Sequence, residues 1–418
     1  MTAVPTDDRP GGAVVVGDEL DRPPGSSELR GSGHRERELP WWRPVERWKA
    51  DGHRVLPGVS YPIAMFVVWR LVSLWMLLAV NGRAVETAYN YDGEHYLRIL
   101  HYGYWNPRPM MPSHAFFPGI SWLATPIYWL TGSDAFAVNV TITLTGIAAF
   151  ICVWGATKVW TSEKIARRAV LLMALFPSSL FLWAFYSEGL FIALGAGAVW
   201  ADRKGKHGIA AACLLAIGTT RSIGILVPAV IIIARIMRQR RIDKWAVTYA
   251  VCGVAGLGLV LLVMWHQAGS AFAWLHVQDD WGRGVSWPWN SVIQGVENLY
   301  PKPRTVMVPA LVARNLDLWC VPIVILGVGY LAFSKRPRFP MDAWMLGVAM
   351  IVMAFSSSVL ASFNRFALAD WVIFPAYAAM AGRMPKWLRY PVLAAVAAIG
   401  LWTTYHMIDR FSVNRFVG

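Results

Sequence analysis

The stretch Tyr91-Asp92-Gly93-Glu94-His95-Tyr96 puts two carboxylates and an imidazole within four positions, with a tyrosine at each end. A carboxylate so placed can take a proton from a hydroxyl as a general base, or can bind a cation. Asp92 and Glu94 are candidates for both roles, and Asp92, Glu94 and His95 together could hold a divalent cation. An Asp-x-Glu pair is also what a solvated loop carries. Tyr91 and Tyr96 flank the group as sugar-binding aromatics would.

Other chemistry-bearing residues stand singly between apolar runs. Tyr186 and Glu188 lie in "LWAFYSEGLFIAL", Arg221 in "IGTTRSIGIL" and Arg365 in "LASFNRFALADW". An acid there costs free energy unless it is paired or reaches an aqueous edge. Glu188 therefore reads as an orienting group or as an interfacial turn residue. Arginine can grip a phosphate bidentately, and can equally snorkel to lipid headgroups. Arg70, inside an apolar run, is expected to pack against an acid or carbonyl of its neighbours. "AFAWLHVQDDWGRGVSWPWN" mixes Trp with Gln278, Asp279, Asp280 and Arg283. That mixture stacks on and hydrogen-bonds sugars; the Trp residues also suit an interfacial aromatic belt. His114 is a further donor.

The elements that must position these residues are apolar. Of 418 residues 56% are hydrophobic and 15% charged, against roughly 25% charged in soluble domains. Runs about long enough to cross a hydrocarbon core recur from Tyr61 onward. The chain reads as an all-α polytopic membrane protein. Its net charge of +14 is unevenly placed: residues 1–59 sum to −1 and the remainder to +15. The excess sits between apolar runs, as the positive-inside rule and anionic lipid explain, and a nucleic-acid partner is excluded from the reading. Cys152, Cys213, Cys252 and Cys320 lie inside apolar runs, as packing residues rather than a disulfide or metal framework. "GVAGLG" at 253–258 reads as close helix packing, not a nucleotide loop.

Composition divides the chain into a disordered cytoplasmic tail (1–40), an interfacial segment (41–59), a transmembrane domain (60–408) and a C-terminal tail (409–418). Basic clusters begin at Arg43, Lys158, Arg203, Arg238, Lys335 and Arg383. All six are placed on the cytoplasmic side. About eleven crossings result, at 60–81, 135–157, 169–186, 188–201, 208–221, 223–237, 246–266, 309–333, 342–361, 366–382 and 390–408. Residues 116–131 are read as re-entrant or tilted, because Pro118 and Pro126 break the run and a twelfth crossing would invert every later segment. Outer loops fall at 82–115 and 267–308. Asp92, Glu94, His95, His114, Tyr186, Glu188, Arg221, Asp279, Asp280, Arg283 and Arg365 then gather near one outer face.

"YDGEHYLRILHYGY" followed by "HAFFPGI" resembles the opening of the GPI mannosyltransferase II (PIG-V) family. "LFPSSLFLWAFYSEGLFIAL" is similar to that family's YSE segment, "TTRSIGIL" to its RS-x-G stretch, and "FNRFALADWVIFPAYAAMA" to its late R…P segment. The Gln278…Trp281…Arg283…Pro288 run resembles bacterial members. The matches keep their order across about residues 61–383. Two positions depart: Tyr91 replaces the usual Trp, and Phe176 replaces Asn before Pro177. The resemblance implies a C-type glycosyltransferase fold and a polyprenyl-phosphate sugar donor used at the outer face. It also implies an acid base in the first outer loop, which falls on Asp92.

The expectation is an inverting, plasma-membrane mannosyltransferase with a glycolipid or glycan acceptor. Asp92 is its base. Glu94, His95, His114, Tyr186, Glu188, Arg221, Gln278, Asp280, Arg283 and Arg365 bind substrates, and no cofactor is required. The alternative is a transporter or flippase of lipid-linked sugars. That reading needs deep polar groups and an inverted repeat, and the sequence displays few of the first and no clear case of the second.

Overall fold

Serine and aspartate caps set several helix starts. Ser133, Ser162 and Asp243 each accept from the backbone N–H three residues on, at Phe136, Ile165 and Ala246. Each satisfies one of the orphan donors of a helix N-terminus. The computed structural model describes the backbone of residues 56–81, 86–105, 113–280, 283–297 and 315–413. All of these belong to one unit, Trp41–Gly418. The disordered-tail reading (1–40), most of the interfacial segment and Trp281 lie outside the described residues, as do parts of both outer loops.

The chain is helical. Its elements are α1 Leu56–Asn81, α2 Asp92–Tyr102, α3 Gly119–Thr131, α4 Asp134–Trp160, α5 Glu163–Ala174, α6 Glu188–Arg203, α7 His207–Ile217 and α8 Leu226–Gln239. Next come α9 Lys244–Ala268, α10 Ala273–Asp280, α11 Pro288–Glu297, α12 Leu316–Phe333, α13 Met341–Phe355, α14 Phe363–Ala369, α15 Ile373–Arg383 and α16 Lys386–Ser412. Helix α16 runs on to Ser412, so part of the expected 409–418 tail is helical.

Among the described residues six helices are long and apolar enough to cross a membrane: α1, α4, α8 with its preceding turn, α9, α12 and α16. These coincide with six of the eleven expected crossings. The other five are short or broken. Helices α6, α7 and α13 are 16, 11 and 15 residues long. The 169–186 run is not one span. It is helix α5, then a 3₁₀ turn at Pro177–Leu182, because proline disfavours helix in the residue before it and lacks the N–H to continue one. No residue from 178 to 188 exceeds 3% exposure, which is where non-helical backbone is tolerated at membrane depth. The 366–382 run likewise divides into α14 and α15. Residues 116–131 hold the 13-residue helix α3, too short to span.

The helices cross closely where side chains vanish. A Cβ on Gly256 of α9 would stand 2.0 Å from the Leu215 carbonyl of α7, which bears out helix packing as the role of "GVAGLG". The five described basic clusters meet at one end. Arg203 pairs with Asp342, Arg238 with Asp202, and Arg383 donates to the Arg336 carbonyl. Arg168 lies against Gly382. Helix α6 runs from Glu188 to Arg203, roughly 24 Å at 1.5 Å per residue, so the opposite end of the bundle is where Glu188 and its neighbours collect.

Candidate active site

Asp92 is the first residue of α2, and it comes directly after Tyr91, whose φ is +55°. Arg365 lies in the first turn of α14, after Ser362 with φ +68°. Three described non-glycine residues have positive φ, and these are two of them. Such conformations cost about 1–3 kcal/mol each and persist only where surrounding contacts enforce them. Here both turns aim a charged side chain at the same point.

That point is an ion-pair chain. Arg365 Nη1 pairs with Asp92 Oδ2, and Arg365 Nε donates to Glu188 Oε1 at 2.7 Å. Arg221 Nη1 donates to the same Glu188 oxygen at 2.6 Å. Glu188 is fully buried. The Arg365 guanidinium lies over the rings of both Tyr186, at 4.6 Å, and Phe181, at 5.1 Å, which themselves pack together at 5.1 Å. The Tyr186 hydroxyl accepts from the Asp92 backbone N–H at 3.2 Å. Arg221 stands over Phe366 at 5.0 Å. A buried acid between two arginines avoids the penalty of an uncompensated charge and fixes both guanidinium planes.

Asp92, Arg221, Gln278, Arg283 and Arg365 line one cavity of about 560 Å³, and Asp92 is the single carboxylate among its described lining residues. The remaining wall is largely apolar, with Phe116, Met353, Leu360 and Phe366. Arg283 makes no ion pair among the described residues; its Nη2 reaches Ser362 Oγ at 3.4 Å. Burial, then the nearby Arg365, disfavours its charge.

The other sequence candidates separate from this centre. Glu94 points outward, with 55% of its side chain exposed and Arg98 4.0 Å away. Asp280 is exposed, and the side chain of Asp279 lies outside the described residues. His95 Nδ1 bonds Ser113 Oγ at 3.0 Å while its ring stacks on Phe116 at 4.5 Å. Burial lowers its pKa, with Asp92 opposing. His114 stacks on Tyr104 at 5.6 Å, and burial lowers its pKa also. Asp92, Glu94 and His95 thus take separate partners. The tyrosine frame also differs from expectation: Tyr91 packs on Phe411, and Tyr96 is 3% exposed with its hydroxyl donating to Ser187. Arg70 finds a side-chain carbonyl, Asn139 Oδ1 at 3.0 Å. The sequence reading missed Asp317 and Ser362. Asp317 had one signal, an acid at the start of an apolar run.

Residues 65–244 match the model of a family described as Mannosyltransferase (PIG-V). No curated protein matches the chain by sequence. Among solved structures, ArnT from Cupriavidus metallidurans bound to undecaprenyl phosphate superposes with a TM-score of 0.53 at 16% identity, covering 86% of this chain and 78% of that one. An oligosaccharyltransferase from Archaeoglobus fulgidus in the apo form gives 0.52 at 14% identity, covering 85% of this chain and 56% of that one. The chain thus spans little more than half of the archaeal protein. Likeness at such identities establishes the fold. The chain has the C-type glycosyltransferase fold of a multi-pass membrane protein, and residues 65–244, somewhat under half of it, match the PIG-V mannosyltransferase model.

Proposed function

We propose that this protein moves mannose from a polyprenyl-phosphate donor to a lipid-linked or envelope glycan acceptor at the outer face of the plasma membrane, with inversion. The observation that carries the reading is one carboxylate and three arginines on a single, largely apolar cavity. Asp92 accepts the acceptor hydroxyl's proton as its oxygen attacks the anomeric carbon. The bond from that carbon to the phosphate oxygen breaks, and polyprenyl phosphate departs with the bonding pair. Arg283, half-buried and without a carboxylate partner among the described residues, suits the phosphate; Arg365 and Arg221 supply further donors. The undecaprenyl phosphate bound to ArnT supports a lipid phosphate in this fold. A lone carboxylate among the described lining residues supports direct displacement, because with Asp92 as base the double-displacement route needs a second group as nucleophile.

The carboxylate oxygen that Arg365 leaves free is the one that takes the proton. The apolar wall suits the prenyl chain, and enclosure orients both substrates. The test is transfer by purified protein from radiolabelled polyprenyl-phosphomannose to membrane lipid extract, with Asp92→Asn beside the wild type. Expected is a labelled glycolipid whose formation falls about 10²–10⁴-fold in the variant. Equal transfer by both would remove Asp92 as base. No transfer across several lipid-phosphate sugars would overturn the transferase reading and favour a transporter.

A further inference from the structure

Arg365 must be held for the proposed chemistry, yet it stands on a seven-residue helix entered through a strained residue. The carboxylate that secures this turn comes from elsewhere in the chain. Asp317, in the first turn of α12, accepts two backbone N–H bonds: from Ser362 to Oδ2 at 3.1 Å and from Asn364 to Oδ1 at 2.7 Å. Ser362 has φ +68° and its own side chain makes no capping bond. The Arg365 N–H in turn donates to the Ser362 carbonyl at 3.0 Å. Arg283 reaches the Ser362 hydroxyl from the cavity side. One carboxylate therefore bridges both sides of the residue that sets the path into α14.

From this geometry we infer that Asp317 is a positioning residue, which fixes Arg365 by pinning the left-handed turn at Ser362. The inference rests on the transferase reading for its kinetic consequence but not for its structural one. Asp317 is absent from the cavity lining, so its effect reaches substrate through the turn at Ser362 and the side chains that turn holds, Arg365 foremost. Asparagine there keeps one acceptor and turns an amide N–H₂ toward a backbone donor, which breaks the cap while keeping the volume. Glycine at 362 adopts the left-handed conformation without the Cβ penalty. The Ser362→Gly change should therefore restore what Asp317→Asn loses.

The experiment reads both levels on full-length protein in lipid nanodiscs. Phenylglyoxal adducts on arginine are mapped by mass spectrometry in wild type, Asp317→Asn and Asp317→Asn/Ser362→Gly. Arg365 is 7% exposed and Arg235, at the opposite end of the bundle, 2% exposed. The expected result is labelling of Arg365 in Asp317→Asn alone, with Arg235 protected throughout. Labelling of both arginines in the single variant would make Asp317 a general stability residue and overturn the inference. Labelling of neither, or no recovery in the double variant, would overturn it equally. In the transfer assay kcat should fall about 10–100-fold in Asp317→Asn with KM for the donor little changed, and recover in the double variant. A kcat that does not fall, or a KM that rises in its place, would count against the inference. Were the wild type to transfer nothing, the transferase reading would fail while the labelling still decided the role of Asp317.

Discussion

Glu188 and Arg283 show how differently two charged side chains of one site should respond to neutralisation. Glu188 is fully buried and compensates two guanidinium groups. Glu188→Gln leaves both arginines short of a counter-charge, at a cost of about 3–5 kcal/mol for a broken buried pair. The thermal midpoint in detergent should drop, and transfer with it. Arg283 has no ion-pair partner among the described residues, so Arg283→Gln should leave the midpoint near wild type. It should instead raise KM for the donor about 10–100-fold, the equivalent of one charged hydrogen bond. The reverse pattern, a stable Glu188→Gln and an unstable Arg283→Gln, would reject the assignment of clamp and anion site. The two histidines carry a pH signature. Burial holds His95 and His114 below the ordinary value of 6.5, with Asp92 opposing the effect at His95 and Arg98 adding to it. A group whose folded pKa is depressed contributes stability above its unfolded value and loses it as pH falls through that value. The wild-type midpoint should therefore decline from about pH 7.5 to 5.5 more steeply than that of a His95→Gln/His114→Gln variant. Parallel declines would clear the histidines of any part in acid sensitivity.

At the scale of elements, helix phase explains which candidates the sequence misplaced. Residues 82–115 read as a loop, in which neighbouring polar groups can converge. Asp92 in fact opens α2. Two positions on a helix are about 200° apart, so Asp92 and Glu94 cannot serve one point. Asp92, Tyr186, Glu188, Arg221 and Arg365 were legible because each polar group interrupts or borders an apolar run, where only function or pairing sustains it. Asp317 was not, because its value lies in two backbone bonds to a turn 45 and 47 positions away. The broken runs at Pro177 and near Asp370 were hidden for a related reason: buried irregular backbone is as apolar in sequence as a span. Glycine spacing does survive scrutiny, and it yields a paired prediction on α9. Gly256→Ala drives a Cβ against the Leu215 carbonyl, a backbone atom that cannot move aside. It should cost about 1–3 kcal/mol as overpacking. Gly258 has nothing within 4 Å of its Cβ direction, so Gly258→Ala should be neutral or stabilising. Thermal midpoints of the two variants, measured side by side, would refute the α7–α9 contact if they moved together.

The whole molecule is polarised along its helices, and this was legible from charge alone. Five described basic clusters interlock at one end, where Arg235 is clasped by Asp202 and Asp243 at 2.5 Å each. The cavity opens among the termini at the other end of α6. The count of crossings was less legible, because α6, α7 and α13 are shorter than a bilayer and rely on neighbours for cover. Since the ends differ in chemistry, sidedness can be measured directly. Glu94 and Lys204 are both exposed, one beside Asp92 and the other just past α6 at the basic end. In a background with Cys152, Cys213, Cys252 and Cys320 replaced by alanine, Glu94→Cys should react with a membrane-impermeant maleimide added to intact cells. Lys204→Cys should react only after permeabilisation, because basic loops remain inside. Reversed reactivity would put the cavity in the cytoplasm, where nucleotide-linked sugars become the natural donors and the lipid-phosphate proposal loses its main topological support. Labelling of both from outside would contradict the placement of the basic clusters, and with it the crossing assigned to 188–201.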